Sequence, residues 1–328
     1  MIFGKAVMEN QYEACRLCPR QCGINRTVQK GACSVGDTLR ASRAALHFWE
    51  EPCISGTRGS GTVFFSGCTL RCVYCQNYAI SHAAAGQEIT PGRLTEIFFE
   101  LEEQGANNIN LVTADHFLPT IAGSIEAAKQ GGLRIPVLLN TSSYIGVEIL
   151  KRMEGLIDIY LPDFKYIREA DAVRYSRAPG YPEAAKAAIA EMVRQQPECA
   201  FVRESDRRET VWKGEEAGTD GEVPVLTHGV VVRHLLLPGL LIQSKLILRY
   251  LYETYGDRIF LSLMSQYTPD HERLAEKYPE IDRCVTGREY RSLVDYAAGL
   301  GVTRGFVQEG DVAKESFIPL FDGSGIGK

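Results

Sequence analysis

Residues 61–77 read GTVFFSGCTLRCVYCQN. The run 62–66 (TVFFS) is short, apolar and rich in β-branched and aromatic residues, which predicts a strand. It ends in Gly67 and opens into Cys68, Cys72 and Cys75, a CxxxCxxC loop. Soft thiolates from one short loop suit an iron–sulfur cluster or zinc. Structural zinc and electron-transfer clusters normally take four protein ligands. Three ligands leave one metal position open to a substrate or cofactor. A remote residue such as His82 or Cys53 would instead close the site. The loop follows a strand, and parallel α/β folds place their ligand sites at strand C-terminal ends.

Working outward, further strand candidates lie at 109–113, 135–139, 157–161, 230–237, 259–264 and 302–307. Helical patterns separate them. Thr90-Pro91 reads as an N-cap with an N1 proline, and Leu94, Ile97, Phe98 and Leu101 follow at helical spacing. Thr286 and Glu289 read as a capping box, with Leu293 and Ala297 on one face. Gly131-Gly132 stops the helix before 135–139. Apolar strands alternating with amphipathic helices predict a parallel sheet with right-handed crossovers. Pattern alone leaves a barrel and a doubly wound sheet open. Residues 199–228 break the rhythm as a polar surface insertion, read as a solvated loop or a hairpin arm.

The 328 residues are 45% hydrophobic and 23% charged, enough for one large core and a small extra module without long disorder. A net charge of -5 argues against nucleic acid or an anionic membrane as the main partner. No apolar run reaches the length of a membrane span. The N-terminus shows neither a basic nor an apolar leader region, so a soluble cytoplasmic protein is expected.

Seven of the ten cysteines fall into two groups. The second group is Cys15, Cys18, Cys22 and Cys33, in CRLCPRQC followed by GACSVGD. Its Pro and Gly residues fold the chain tightly, and four soft ligands at this spacing suggest a closed zinc or iron–sulfur site. Reduced, unliganded thiols or labile disulfides are the alternative. Cys53, Cys199 and Cys284 are isolated and read as small buried apolar residues.

The CxxxCxxC loop followed by Gln76-Asn77 resembles the signature of radical S-adenosylmethionine (SAM) enzymes. More narrowly, it resembles the activating enzymes of pyruvate formate-lyase and their uncharacterised homologues. The resemblance covers residues 59–310 and, more loosely, the N-terminal region. It implies that Cys68, Cys72 and Cys75 bind a [4Fe-4S] cluster, that SAM chelates the open iron, and that Tyr74 lies near the adenine. It implies reductive SAM cleavage to a 5'-deoxyadenosyl radical that abstracts hydrogen. Thr113-Ala114-Asp115-His116 stands where the activating enzymes have Gly-Gly-Glu, so Thr113 and His116 are the candidates there. Asn140-Thr141-Ser142-Ser143 resembles their Asp-Thr-Asn-Gly turn, and Asp163-Phe164-Lys165 their Asp-Leu-Lys. Arg233 in VVVRHLLLPG resembles a strand arginine of the family, and it either binds the SAM carboxylate or pairs with an Asp or Glu. His234 has opposite parity and is expected to pack outside, while Ser265 and Gln266 are expected toward the substrate.

The expected fold is therefore α/β: a partial (β/α)6 TIM-like barrel over 59–310, with a cysteine-rich extension at 1–58 and a tail at 311–328. The resemblance implies a reductant such as flavodoxin or ferredoxin. It also implies a protein substrate, a glycyl radical enzyme. Modification of another peptide or a small molecule, with an auxiliary N-terminal cluster, is a second reading. A non-catalytic iron–sulfur electron carrier is a third.

Overall fold

The computed structural model describes residues 11–82, 85–212, 222–308 and 319–327. The start of the chain, read above for a leader, and the first part of the tail lie outside the described residues. So does the tip of the 199–228 insertion.

The strands are β1 (Arg40–His47), β2 (Ser60–Phe65), β3 (Gln87–Glu88), β4 (Ile109–Val112), β5 (Val137–Thr141), β6 (Ile159–Pro162), β7 (Ala200–Val202), β8 (Glu209–Thr210), β9 (Val225–Leu235), β10 (Phe260–Met264) and β11 (Gly305–Val307). Their order is β11-β10-β9-β6-β5-β4-β2-β1-β3. From β2 through β11 that path is parallel, while β1 and β3 are added antiparallel beyond β2. Helices cross between the parallel strands, including Pro91–Glu103, Leu118–Gln130, Leu241–Tyr255 and Gly287–Leu300.

Residues of β2 and β10, five positions apart on this path, line one cleft, so the sheet curls into an open partial barrel. The six-strand reading holds from β2 to β10, and β11 adds a seventh short strand. Side chains alternate along each strand. Val63, Leu111, Leu139, Tyr160 and Val232 pack outward against the helices. Leu138, Ile159, Leu161, Val231 and Phe260 face inward and close the barrel floor. Cys53 and Ile54 of the Pro52–Ser55 helix plug that floor from below, together with Phe201.

Predicted helix ends are in place. The Thr90 hydroxyl accepts the Arg93 amide at 3.0 Å, and Thr286 with Glu289 forms a full capping box. Gly131 caps the Leu118–Gln130 helix.

The structure adds detail to these readings. The cysteine-rich extension at 1–58 also holds β1, which belongs to the barrel's own sheet. Two arginines and a register shift between Ala41 and Arg43 hide its alternation. The insertion is a hairpin arm rather than a solvated loop: β7 pairs antiparallel with both β8 and β9, and β9 begins at Val225. Cys284 is exposed rather than buried, and Cys199 is only half-buried. The end of the tail is docked, with the Gly323 amide on the Ser42 carbonyl and the Ala44 amide on the Ser324 carbonyl. Gly325 has φ +72, and a Cβ there would stand 2.0 Å from the Ala44 carbonyl oxygen, so only glycine fits. Among the described residues, no helix is long and apolar enough to cross a membrane.

Candidate functional site

A cleft of about 240 Å3 opens at the C-terminal ends of the strands, and Cys68, Cys72 and Cys75 all line it. Gly67 carries the chain out of β2 at φ +85, where a Cβ would come within 2.6 Å of the Cys33 carbonyl. The loop is then fixed by its own backbone. The Arg71 amide donates to the Ser176 carbonyl at 3.0 Å and the Val73 amide to the Tyr175 carbonyl at 2.9 Å.

Each of the three sulfurs accepts one hydrogen bond. Cys68 accepts from the Leu70 amide at 3.4 Å, Cys72 from the Ser176 hydroxyl at 3.0 Å and Cys75 from the Ser81 hydroxyl at 3.2 Å. Behind Cys72 the hydroxyls continue, with Tyr166 at 2.8 Å from Ser176 and Tyr74 at 2.6 Å from Tyr166. With Ser176 donating to sulfur, the consistent chain runs Tyr74 to Tyr166 to Ser176 to Cys72. Donors aimed at sulfur favour the thiolate. Burial opposes it. Burial raises Cys68 well above the usual thiol range, with Cys72 and Cys75 adding to the rise. Burial lifts Cys72 to about 11, although Lys165 pulls it down. A cationic metal centre reverses that balance, so this donor set fits an iron–sulfur cluster. Cys53 lies in the floor cluster and does not line this cleft, and the His82 ring is bonded to Ser81 at 2.9 Å and stacked on Tyr78.

Tyr74, Thr113, Asn140, Asp163, Lys165 and Arg233 also line the cleft, as do Thr141, Ser142 and Gln266. Tyr74 meets Tyr267 edge-on at 5.9 Å, which makes an aromatic wall. Thr113 holds φ +59, a strained conformation for a β-branched residue, and its amide donates to the Asn140 carbonyl at 3.0 Å. The Ser142 and Ser143 hydroxyls are buried and have no hydrogen-bond partner. Both Asp115 carboxyl oxygens are also buried, and burial pushes this group up to about 7 against a downward pull from Thr141.

Arg233 is already paired. Its Nε donates to Asp163 Oδ1 at 2.9 Å, Nη1 to Glu50 Oε2 at 3.0 Å and Nη2 to Asn140 Oδ1 at 2.6 Å. Of the two readings offered by the sequence, the structure takes the carboxylate within the protein, so Arg233 is not a free fork for a cofactor carboxylate. Lys165 Nζ donates to Asp163 Oδ2 at 2.8 Å. Burial disfavours charge on Asp163, but Arg233 and Lys165 outweigh it and hold the carboxyl below its usual range. Glu50 is raised by burial despite Arg233, and so is Glu51. Three carboxyls thus act on Arg233, and Asp163 acts on Lys165 as well.

His116 does not bind in the cleft. It is buried, its Nε2–H donates to the Ser66 carbonyl at 2.9 Å, and burial with the nearby Arg26 lowers it to about 3. It ties the strand end to β2 and the N-terminal segment. His234 packs on the helix side as parity predicts, with Nδ1 bonded to the Phe164 carbonyl at 2.7 Å. Ser265 does not line the cleft, and its amide donates to Gln308 at 3.0 Å.

Sequence reasoning missed Glu50. In Glu50-Glu51-Pro52 it looks like solvated charge. The signal that could have found it is Arg233 itself, since a buried guanidinium needs carboxylates.

The four N-terminal cysteines are all free and gather in one loop, with Cys15 and Cys33 buried and Cys18 and Cys22 half-buried. Among the described residues, no three Cys, His, Asp or Glu side chains converge at the spacing of a single bound ion, in this loop or in the other.

Residues 62–201 match the Radical SAM superfamily model. The chain is 25% identical over 299 residues to an uncharacterized protein of Methanocaldococcus jannaschii, covering 89% of this chain and 76% of that protein. Solved structures that match include Streptococcus suis SuiB bound to S-adenosylmethionine, at 12% identity and TM-score 0.47 over 75% of this chain. Another is the FeFe-hydrogenase maturase HydG from Carboxydothermus hydrogenoformans, at 13% identity and TM-score 0.48 over 74% of this chain. The chain spans about half the length of these two structures, 49% and 52%.

Proposed function

We propose that this protein is an enzyme that reductively cleaves SAM at a [4Fe-4S] cluster held by Cys68, Cys72 and Cys75. The observation that carries the reading is the three-cysteine loop at the head of β2, with one hydrogen-bond donor aimed at each sulfur. When bound, the reduced cluster supplies one electron that breaks a sulfonium C–S bond to give methionine and a 5'-deoxyadenosyl radical, which takes a hydrogen atom from substrate. The chain's own part is to hold and orient. Ser176 and Ser81 orient the Cys72 and Cys75 sulfurs by hydrogen bonds. The Tyr74 and Tyr267 rings offer a flat apolar wall to a purine. Ser142, with its unpartnered hydroxyl, offers a hydrogen bond to a polar ligand group. Lys165, rather than Arg233, is the cation with the fewer protein acceptors, so it meets the anionic end of the cofactor.

For substrate, the reading that follows the resemblance to glycyl-radical-enzyme activases is a backbone glycine of a partner chain. Asp163-Phe164-Lys165 at the end of β6 supports it. The cleft also reaches His47 and Trp49 beyond β2, where the open side of the barrel could admit a peptide loop.

The test is an oxygen-free purification, reduction with dithionite, addition of SAM and chromatography for 5'-deoxyadenosine. Product is expected in the wild type. An intact cluster without product would overturn the enzyme reading and favour an electron carrier. A glycyl-radical signal on an added glycyl radical enzyme would select activation.

A further inference from the structure

We infer that Cys15, Cys18, Cys22 and Cys33 bind a second iron–sulfur cluster, closed by four protein thiolates and packed against the first cluster's loop. This goes beyond the proposed SAM chemistry and does not depend on it.

The chain is bent to bring these thiols together. The Cys15 amide donates to the Ile24 carbonyl at 2.9 Å, Gly23 donates back to the Cys15 carbonyl at 2.9 Å, and Gln21 donates to Cys18 at 3.0 Å. Gln21 and Ser34 adopt φ +42 and φ +71, conformations that non-glycine residues rarely take without a reason. Cys22, Cys15 and Cys33 all lie near enough to Cys18 to act on it electrostatically. None of the four is in a disulfide. Four thiols crowded without a bridge suit a soft cation.

A buried cation already faces them. Arg26 is 1% exposed. Its Nη1 donates to the His116 carbonyl at 2.7 Å and lies 3.9 Å from the Cys15 sulfur, and its Nη2 donates to the Gly36 carbonyl. The same guanidinium favours the thiolate of Cys33 against burial. A cubane cluster with four thiolates keeps a net negative charge, and Arg26 supplies its counter-charge. A bare zinc ion would need its sulfurs about 3.8 Å apart, from bonds of about 2.3 Å. Among the described residues, no three side chains of the N-terminal loop are grouped so as to hold a single metal ion.

The two loops touch. The Cys68 amide donates to the Cys33 carbonyl at 3.2 Å, and Arg20 Nε donates to the Thr69 carbonyl at 2.6 Å. A four-ligand cluster has no open iron, so it exchanges electrons rather than ligands. In this position it passes one electron at a time from an external reductant toward the cleft.

The experiment is anaerobic reconstitution with iron and sulfide, using the full chain. Wild type is expected to hold about 6 to 8 iron atoms and the Cys68→Ala/Cys72→Ala/Cys75→Ala variant about 2 to 4, with matching sulfide. Iron-free triple variant with native circular dichroism, or one zinc in place of iron, would overturn the proposal. The partly exposed Cys18→Ser/Cys22→Ser variant gives an independent arm. Its iron should fall by about half, while the spectrum of the reduced first cluster still changes on adding SAM. Iron equal to wild type in that variant would also refute the proposal. Because the triple variant lacks the first site, failure here leaves the SAM reading standing, and the reverse holds too.

Discussion

The two cysteine loops use the same element for different ends. Cys68, Cys72 and Cys75 stand at the end of β2 and face a cleft, with a hydrogen-bond donor on each sulfur. Cys15, Cys18, Cys22 and Cys33 lie behind that loop in a knot braced by Arg26. On the proposed reading, three ligands at a strand end make an open site and four in a knot make a closed one. The difference teaches that position relative to the sheet, as much as ligand count, decides whether a metal loop can do chemistry.

Four substitutions would break or sharpen that contrast. Cys72→Ala is expected to abolish 5'-deoxyadenosine entirely, measured by chromatography after reduction with SAM. Persistent product would mean the cleft loop is not the open site. Arg26→Met comes next. It removes a buried cation and leaves the His116 and Gly36 carbonyls without their donor, so it should cost about 2–3 kcal/mol in denaturant titration. An unchanged midpoint would show that the knot does not lean on this residue. Ser176→Ala should leave the iron content intact and slow SAM cleavage about 10-fold, because it deletes the donor to Cys72 and the acceptor of the Tyr166 hydroxyl. The smallest effect is the pH response of His116. Burial lowers it to about 3, so between there and its ordinary 6.5 the unfolded chain binds more protons than the folded one. Stability should therefore fall as pH drops from 7 to 5, by about 1–2 kcal/mol for this group. His116→Gln, which keeps a donor for the Ser66 carbonyl, should flatten that slope. If the slope is unchanged, His234, lowered in the same direction, carries it instead.

The barrel was largely legible because its strands are buried runs and its helices carry caps. Thr90 and Thr286 announced themselves in the sequence. β1 did not, since RASRAALH mixes charge into a strand that only its bulge and its neighbours explain. The three-cysteine loop was readable from spacing as a set of ligands, and its residues line the cleft. The polar rim was readable only by residue type. Periodicity placed Asn140, Asp163 and Arg233 at strand ends or within the barrel, but nothing local shows that they satisfy one another. That depends on Glu50, which arrives from a loop some 180 residues away in sequence (183 from Arg233). For His116 the sequence left a ligand and a satisfied helix-start histidine open, and its ring is turned to a backbone carbonyl.

The docked tail has a consequence for the order of events during synthesis. Beyond the two-residue strand β3, the outer side of β1 is covered by residues 322–324, and the Arg43–Asp322 ion pair of 3.1 Å joins residues 279 apart. Residues up to 324 must leave the ribosome before that edge is sealed. Until then β1 offers open backbone groups to any passing strand. A nascent chain arrested before residue 322 should therefore be more aggregation-prone than the finished protein, although every cysteine of both loops has already been made.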